Sequence, residues 1–328
     1  MSEFDLIRQL HERINGVDGS GPFACVVGIG DDAAVLDIPQ DRQLVVTTDT
    51  LVEGVHFLTS SDAQNLGHKA LAVNLSDLAS MGAEPAWFFL ALTLPSPDLA
   101  WLESFACGMG RLARSAGVVL AGGDTTAGPL SITVTAMGLV EPGKALTRDG
   151  AQPGDLVVVS GQLGDAALAL EILKAGGIPG PISRAALECP EPRLRLGRQL
   201  QGLATSCIDI SDGLAADLSH ILEASAAGAE INIDLLPGST SLTGLPVDQK
   251  RQLQICGGDD YELCFTIAMN RREELGGIAR DCDCPLTVIG KINASGELVF
   301  TMADGTVYVP QASGYDHFPG KGNLAGNQ

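Results

Sequence analysis

The sequence predicts a two-domain protein of the α/β or α+β class. Its 328 residues are more than a single hydrophobic core usually organises, and they suffice for two domains. Hydrophobic residues make up 45% of the chain and charged residues 18%, which is the composition of a globular protein. Both halves mix strand-like and helix-like patterns and are separated by a turn-rich stretch at 142–153. We expect the boundary near Arg148, with domains at 1–148 and 149–328.

The predicted N-terminal domain alternates strands and helices. Runs of apolar β-forming residues predict strands at Cys25–Ile29, Ala33–Ile38, Leu44–Thr48, Ala86–Leu94, Val118–Ala121 and Ser131–Val140. Apolar residues at helical spacing predict helices at Phe4–Ile14, Leu66–Met81 and Leu99–Ala116. Gly82 follows the second of these helices, at the position where a glycine commonly ends a helix.

The predicted C-terminal domain repeats this mixture. Its expected strands are Asp155–Ser160, Cys207–Ile210, Ile231–Leu235, Glu262–Ile267 and Leu286–Ile292. Its expected helices are Asp165–Ala175, Arg193–Leu203 and Leu214–Ala227.

The excess of acidic residues makes some classes of binding partner unfavourable. The chain carries 40 acidic and 20 basic residues, a formal charge of −20. Such a surface repels nucleic acid and anionic lipid, so neither is expected as a partner. It also repels a bare nucleotide, so we expect any phosphate ligand to bind together with a divalent metal ion.

Targeting and redox signals indicate a cytoplasmic protein. Residues 1–5 lack the basic and apolar segments of a signal peptide. The longest apolar stretch, Ala86–Leu94, is far too short to cross a bilayer. The eight cysteines show no zinc-site spacing, and we expect free thiols in a reducing compartment.

Short segments that place a carboxylate beside Gly, Ser or Thr carry the strongest chemical signal. They are Gly28–Asp32, Thr47–Thr50, Asn74–Asp77, Gly122–Thr126 and Asp209–Gly213. Mg²⁺ prefers carboxylate, hydroxyl and carbonyl oxygens, and glycine lets backbone N–H groups turn toward an anion. Oxygen ligands next to bare amides predict a metal–nucleotide site.

Each segment also has a structural explanation that the sequence leaves open. Gly-Asp turns are common on surfaces, and Thr47–Thr50, which we expect at a strand end, also suits an ordinary turn or helix cap. Asp212 is a candidate N-cap of the next helix, and Arg148 is a candidate surface residue. Asp77 lies in an otherwise apolar helix with no Lys or Arg three or four residues away, so we favour a metal ion as its partner.

Several catalytic signatures are missing. The chain has no G-x-x-x-x-G-K-[ST] and no V-A-I-K or H-R-D set. No histidine is recognisably paired with a Ser or Asp, although His56, just after Thr47–Thr50, is as good a candidate for a functional role as for a structural one. Because the chain has only six lysines, phosphate charge is expected to be met mainly by metal and backbone.

In this order and spacing, the segments resemble the thiamine-monophosphate kinases, a family of the aminoimidazole ribonucleotide synthetase superfamily. The resemblance extends from Phe4 to Phe318 and is strongest at Gly28–Ala34, Thr47–Phe57, Lys69–Pro85, Gly122–Thr126, Ile208–Gly213, Gly257–Phe265 and Gly314–Phe318. It implies an N-terminal mixed-sheet domain of the aminoimidazole ribonucleotide synthetase type that binds Mg-ATP. It also implies a C-terminal α/β domain that completes the active site, and a homodimer formed through the N-terminal sheets.

The activity that the resemblance implies is ATP-dependent phosphorylation of thiamine monophosphate to thiamine diphosphate with several Mg²⁺ ions. The implied metal ligands are Asp32, Thr47, Thr48, Asp49, Asp77, Asp124, Asp209 and Asp212. The implied ATP contacts are Gly123, Asp124, Arg148 and Ser211, and the implied substrate contacts are His56, Asp259 and Tyr315. The family often has Glu where this chain has Asp259, so the carboxylate here reaches one methylene less far.

The chemistry of this reaction suits the residues. A phosphate monoester has a second pKa of about 6 and is already nucleophilic at pH 7, so no general base or protein nucleophile is expected. The obstacle is repulsion between two phosphate groups, which metal ions on carboxylates reduce. The cationic thiazolium ring of the substrate suits a carboxylate such as Asp259 and an aromatic face such as Tyr315.

Other members of the superfamily remain as alternatives. They are aminoimidazole ribonucleotide synthetase, selenophosphate synthetase and the hydrogenase maturation factor. Cys25 lies in an apolar run, unlike the reactive residue of the selenium enzyme, and the chain ends at Asn327-Gln328, whereas the maturation factor ends in Cys. A non-catalytic Mg–nucleotide sensor is the alternative from another functional class.

Overall fold

The computed structural model describes residues 10–15, 21–311 and 314–315. In the N-terminal half, the elements are α1 (residues 10–15), β1 (Cys25–Val27), β2 (Val35–Leu36), β3 (Gln43–Val52), α2 (Ala63–Ser80), β4 (Glu84–Leu94), α3 (Leu99–Ala116), β5 (Val119–Ala127) and β6 (Ser131–Val140). Mixed α/β structure in both halves confirms the predicted fold class.

The second half has its own strands and helices. They are β7 (Leu156–Ser160), α4 (Asp165–Lys174), α5 (Pro181–Glu188), α6 (Leu194–Leu200), β8 (Ala204–Asp209), α7 (Leu214–Ser225), β9 (Gly228–Asn232), α8 (Val247–Cys256), β10 (Leu263–Ile267), α9 (Leu275–Cys282), β11 (Leu286–Asn293), β12 (Leu298–Thr301) and β13 (Val307–Tyr308). None of the described helices is long and apolar enough to cross a lipid bilayer.

The N-terminal sheet has the strand order β3-β6-β4-β5 and is antiparallel except for the β4–β5 pair. Helices α2 and α3 pack against one face and bury residues such as Leu71 and Phe105. The helices cross closely where both carry glycine. A Cβ on Gly67 would lie 2.0 Å from the Phe105 carbonyl oxygen, and one on Gly108 would lie 1.7 Å from that of Gln64. Side chains larger than glycine at these two positions would therefore push α2 and α3 apart.

The opposite face of the N-terminal sheet is covered only in part. The β1–β2 hairpin packs over Trp87 and Val119. Near the β3 edge, the hydroxyls of Thr48 and Thr135 lie 3.0 Å apart, and Val46 on the same strand is 52% exposed. An open sheet surface therefore remains along β3.

The C-terminal sheet has the order β13-β12-β9-β11-β7-β10-β8, with β12 and β9 as its parallel pair. Both faces are buried at its centre. Val157 packs into a cluster with α7, whereas its neighbour Val158 packs into the cluster that contains α6 and α9 residues. The second cluster also takes in Ala79 of α2, and a Cβ on Gly197 of α6 would lie 1.9 Å from the Ala79 carbonyl oxygen. The two domains therefore share a packed contact at the end of α2.

The sequence located most elements but misjudged some bounds. The predicted α3 and β6 have the observed bounds, and α2 ends near Gly82, whose φ of +68° suits glycine. The prediction that Thr47–Thr50 ends a strand is wrong, because β3 continues to Val52. Likewise, β5 continues through Gly122–Thr126, which was expected to follow a strand.

Further elements were missed or lie outside the described residues. The sequence analysis did not predict α5, α8, α9, β12 or β13, and residues 233–235, expected in a strand, form a 3-10 turn. Only residues 10–14 of the predicted first helix and residues 314–315 of the C-terminal match are described. The boundary near Arg148 stays a prediction. It falls between the end of β6 and the start of β7.

Candidate active site

A cleft of about 530 Å³ lies between the two domains. Its walls come from β3, the following loop and α2 on one side, and from α4, the segment after β8 and the segment before β10 on the other. The polar residues that line it include Thr48, Asp49, His56, Lys69, Asp77, Asp209, Ser211, Asp212, Asp259, Tyr261 and Tyr315. Predicted site residues from distant segments of the chain therefore meet in one place.

Helix α2 and strand β3 hold two of the carboxylates. Lys69 and Asp77 stand eight residues apart on one face of α2, about 12 Å along the helix axis. Asn74, also on α2, accepts a hydrogen bond through Oδ1 from the backbone N–H of Asp49 at 3.1 Å. The hydroxyl of Thr47 donates to the carboxylate of Asp77. These contacts keep Asp49 and Asp77 on the same side of the cleft.

The charge of Asp77 opposes the ionisation of two other carboxylates in the cleft. Burial, and then the charge of Asp77, raises the pKa of Asp49 to about 6. Burial, and then the charge of Asp77, also raises the pKa of Asp209 to about 7, although Ser76 Oγ donates to it at 2.7 Å. Burial also raises the pKa of Asp77, although the hydrogen bond from Thr47 and the charge of Arg148 act to lower it. A bound cation would stabilise all three ionised groups.

The donor atoms in the cleft are those that a hard divalent cation prefers. They are carboxylate oxygens with threonine and serine hydroxyls beside them. Among the described residues, no three acidic, His or Cys side chains are already arranged as a coordination set. These residues suit Mg²⁺, which usually takes one or two carboxylates and completes its shell with water and phosphate oxygens.

Part of the predicted site lies outside this cleft. Asp32 is exposed just after β1. Gly123 and Asp124 lie within β5, and the intervening strands β4 and β6 put Asp124 about 14 Å from β3. Arg148 is exposed between the domains, and its positive charge acts to lower the pKa of Asp77. The metal and ATP roles of these residues stay predictions.

Asp212 has a different local role from the one its position suggests. Helix α7 has Gly213 as its N-cap residue, and no side chain caps it. Asp217 Oδ2 accepts hydrogen bonds from the backbone N–H groups of Asp212 at 3.0 Å and Gly213 at 3.1 Å. The explanation of Asp212 as a helix cap is therefore wrong, and these two amides are taken by Asp217 rather than turned toward an anion. The side chain of Asp212 lines the cleft beside Ser211.

The residues predicted to contact substrate all line the cleft. The backbone N–H of Val52 donates to His56 Nδ1 at 3.0 Å, which places the proton of a neutral imidazole on Nε2. Asp259 has a left-handed backbone with φ of +67° and forms an ion pair with Lys69 at 3.0 Å. Tyr315 is 50% exposed at the cleft.

Two cleft residues were missed by the sequence analysis. Lys69 is a charged residue in an otherwise apolar helix, the same signal that singled out Asp77, so the sequence offered a way to find it. Tyr261 is different. Its hydroxyl donates to Asp259 at 3.0 Å, and burial together with the charge of Asp259 raises its pKa well above the usual value. Nothing in the local pattern around Tyr261 indicated that contact.

Two family models match the chain in succession. Residues 30–140 match the model for the AIR synthase related protein, N-terminal domain, and residues 152–303 match the model for its C-terminal domain. Both domains are thus those of an AIR synthase related protein.

Relatives that match nearly the whole chain show to which family of AIR synthase related proteins it belongs. The thiamine-monophosphate kinase of Escherichia coli strain K12 is 45% identical over 324 residues, which is 96% of this chain and 98% of the relative. The crystal structure of the kinase from Stenotrophomonas maltophilia K279a is 45% identical with a TM-score of 0.84, covering 94% of this chain and 98% of that one. The structure of AaThiL complexed with AMPPCP and TMP is 30% identical with a TM-score of 0.75, covering 96% and 97%. The chain belongs to the thiamine-monophosphate kinase family.

Proposed function

We propose that this protein transfers the γ-phosphoryl group of ATP to thiamine monophosphate and so forms thiamine diphosphate. The observation that carries the proposal is the interdomain cleft, where burial and the charge of Asp77 raise the pKa values of Asp49 and Asp209. Family membership and the related kinase complexed with AMPPCP and TMP support the choice of substrates.

The residues that would hold Mg²⁺ in the cleft are Asp49, Asp77, Asp209 and Asp212, with the hydroxyl of Thr47 beside Asp77. The hydroxyl of Thr48 lies on the opposite face of β3, 3.0 Å from that of Thr135, so a metal role for it rests on the family resemblance alone. Asp32 and Asp124 complete the set that the family resemblance implies. When bound, Mg²⁺ would neutralise the phosphate charge that otherwise keeps donor and acceptor apart. The pairing of Thr47 with Asp77 and of Ser76 with Asp209 orients these carboxylates before any ligand arrives.

The proposed reaction is direct in-line transfer, with no catalytic base and no protein nucleophile. The acceptor phosphate is already an anion at neutral pH, so the protein has to bind and orient it rather than remove a proton from it. We assign ATP contacts to Gly123, Asp124, Arg148 and Ser211, and acceptor contacts to His56, Asp259 and Tyr315. Of these, His56 presents a ring fixed by the Val52 backbone.

We also propose that the protein is a homodimer formed through the N-terminal sheets. The surface along β3 exposes Val46 at 52% and Leu44 at 38%, and the adjoining hairpin exposes Val26 at 63%. A second copy would remove this apolar surface from water. Light scattering of the wild type and of Val46→Asp tests this proposal, because the variant should shift a dimer toward monomer.

A cytoplasmic location is part of the same proposal, and it is supported by the eight free cysteines.

The activity is tested by measuring ADP release and thiamine diphosphate formation with Mg-ATP, with and without thiamine monophosphate. We expect turnover only when the acceptor and Mg²⁺ are both present. ATP turnover that is equally fast without the acceptor would refute the proposal. Nucleotide binding without any turnover would instead favour the sensor alternative, and turnover only with a different acceptor would favour another member of the superfamily.

A further inference from the structure

A buried ion pair crosses the cleft between the two domains. Nζ of Lys69 on α2 lies 3.0 Å from Oδ1 of Asp259, which stands between α8 and β10. The two side chains are 6% and 28% exposed. The hydroxyl of Tyr261 donates to the same Oδ1 at 3.0 Å, so this oxygen accepts from two donors.

The two charges depend on each other. Among the basic residues that the structure describes, Lys69 is the one that is buried. An ammonium group in a buried position is strongly unfavourable unless it is paired. Asp259 is the carboxylate with which Lys69 forms its ion pair, at 3.0 Å, so Asp259 is the partner that neutralises Lys69.

Thiamine monophosphate carries the same two charges as this ion pair. Its thiazolium ring is a cation, and its phosphate is an anion. We propose that the pair opens when this substrate binds, so that the phosphate replaces Asp259 at Lys69 and the ring replaces Lys69 at Asp259. This inference rests on the proposed function. It adds a residue that binds the acceptor phosphate and defines the substrate class as zwitterionic phosphate esters.

The position of Lys69 suits this exchange. Lys69 and Asp77 share one face of α2. A phosphate bound by the ammonium group of Lys69 would therefore face the carboxylates at which the donor phosphate is proposed to bind. On the other side, Lys69 borders a small recess lined by apolar residues such as Phe57 and Leu66 and by polar ones such as Asp62. Its apolar part suits contact with an aromatic ring of the substrate.

The ion pair also provides selectivity. A ligand with only one of the two charges would open the pair and leave either Lys69 or Asp259 without a partner. A ligand with both charges replaces the two lost contacts at once. Thiamine has the positive ring without the phosphate, and inorganic phosphate has the negative charge without the ring. These two compounds therefore serve as the matching probes.

The variant Lys69→Gln separates phosphate binding from a purely structural role. We expect its KM for thiamine monophosphate to rise at least about tenfold, because a charge-assisted hydrogen bond is lost. Its KM for ATP should stay within about twofold. The inhibition constant of thiamine should stay the same or fall, because the ring no longer has to displace Lys69. A structural lysine would weaken the binding of both thiamine compounds.

The variant Asp259→Asn provides the reciprocal measurement and carries the test if Lys69→Gln does not fold. Thiamine should inhibit it at least about tenfold more weakly than the wild type, because the carboxylate that pairs with the ring is gone. Inorganic phosphate should inhibit it more strongly, because Lys69 is no longer held by a carboxylate.

The matched control is Lys174→Gln, which removes an exposed lysine at the rim of the same cleft. Its KM for thiamine monophosphate should change less than about threefold. Weaker thiamine binding in Lys69→Gln, or unchanged phosphate inhibition in Asp259→Asn, would overturn the inference. Wild-type protein that does not phosphorylate thiamine monophosphate would refute the proposed function instead, and calorimetric binding of the same probes would still test the ion-pair exchange.

Discussion

Replacing Asp49 by asparagine should stabilise the metal-free protein at neutral pH and remove most of its activity. Burial, and then the charge of Asp77, raises the pKa of Asp49 from 3.8 to about 6. A shift of about 2 units corresponds to about 3 kcal/mol by which folding disfavours the ionised carboxylate. Asparagine has nearly the same shape and does not ionise, so this cost disappears in the variant.

The direction of the shift sets the pH dependence. Below about pH 4, Asp49 is protonated in both the folded and the unfolded protein, so the ionisation cost is absent. Between about pH 4 and pH 6, the unfolded chain releases this proton while the folded protein keeps it, and the wild type loses stability as the pH rises. Above about pH 6, Asp49 is ionised in both states, and the folded wild type bears the whole ionisation cost of about 3 kcal/mol. At about 2 °C or more per kcal/mol, the variant should melt roughly 6 °C higher than the wild type at pH 7.5.

Thermal unfolding in EDTA between pH 4 and pH 8 measures this difference. Glu223→Gln, which changes an exposed carboxylate on α7, is the matched control and should shift Tm by less than about 1 °C. Added Mg²⁺ should then stabilise the wild type more than Asp49→Asn. The reasoning fails if the variant melts below the wild type in EDTA at pH 7.5, or if Mg²⁺ stabilises both proteins equally.

The remaining predictions concern activity, stereochemistry and stability. Asp212→Asn should lose about 100-fold in kcat at saturating Mg²⁺ with little change in Tm, because Asp212 lines the cleft and caps no helix, and near-normal turnover would contradict its metal role. Tyr315→Ala should raise the KM for thiamine monophosphate about tenfold and that for ATP much less, and a larger effect on ATP would show that the residue is misassigned. Transfer from ATP that is chiral at the γ-phosphorus should invert that centre, whereas retention would indicate a phosphorylated enzyme. Arg193→Met should lower the free energy of unfolding by about 3–5 kcal/mol, because Glu262 is buried and bonds Arg193 through both carboxylate oxygens, at 2.7 and 2.6 Å. Urea unfolding measures this loss, and the double variant Arg193→Met with Glu262→Met should recover much of it.

The amino-acid sequence was sufficient to predict the family, the fold class and the elements with strong periodicity. Helix α3 and strand β6 have the predicted bounds because each repeats its apolar residues at the spacing of one buried face. It also identified the carboxylates of the cleft, because Asp beside Gly, Ser or Thr after apolar runs is a local pattern. Asp77 was recognisable for the same reason, as a charge in an apolar helix.

Other features depended on long-range pairing. Thr47–Thr50 and Gly122–Thr126 continue strands that local propensity would end, because β6 and β4 pair with them along their full length. A local contact was missed as well: the carboxylate of Asp217, in the first turn of α7, accepts from the two amides that precede the helix, so these amides do not face a ligand.

Which charged residues form contacts could not be predicted from the sequence and depends on the packing of the two domains. Lys69 and Asp259 lie far apart in the chain, on different domains, and they form an ion pair because α2 and the segment before β10 face each other across the cleft. The raised pKa values of Asp49 and Asp209 have the same origin, because both depend on burial and on the nearby charge of Asp77. Local sequence records which residues are apolar or charged, but the packing of the two domains sets the distances between charges, and those distances determine the chemistry of the site.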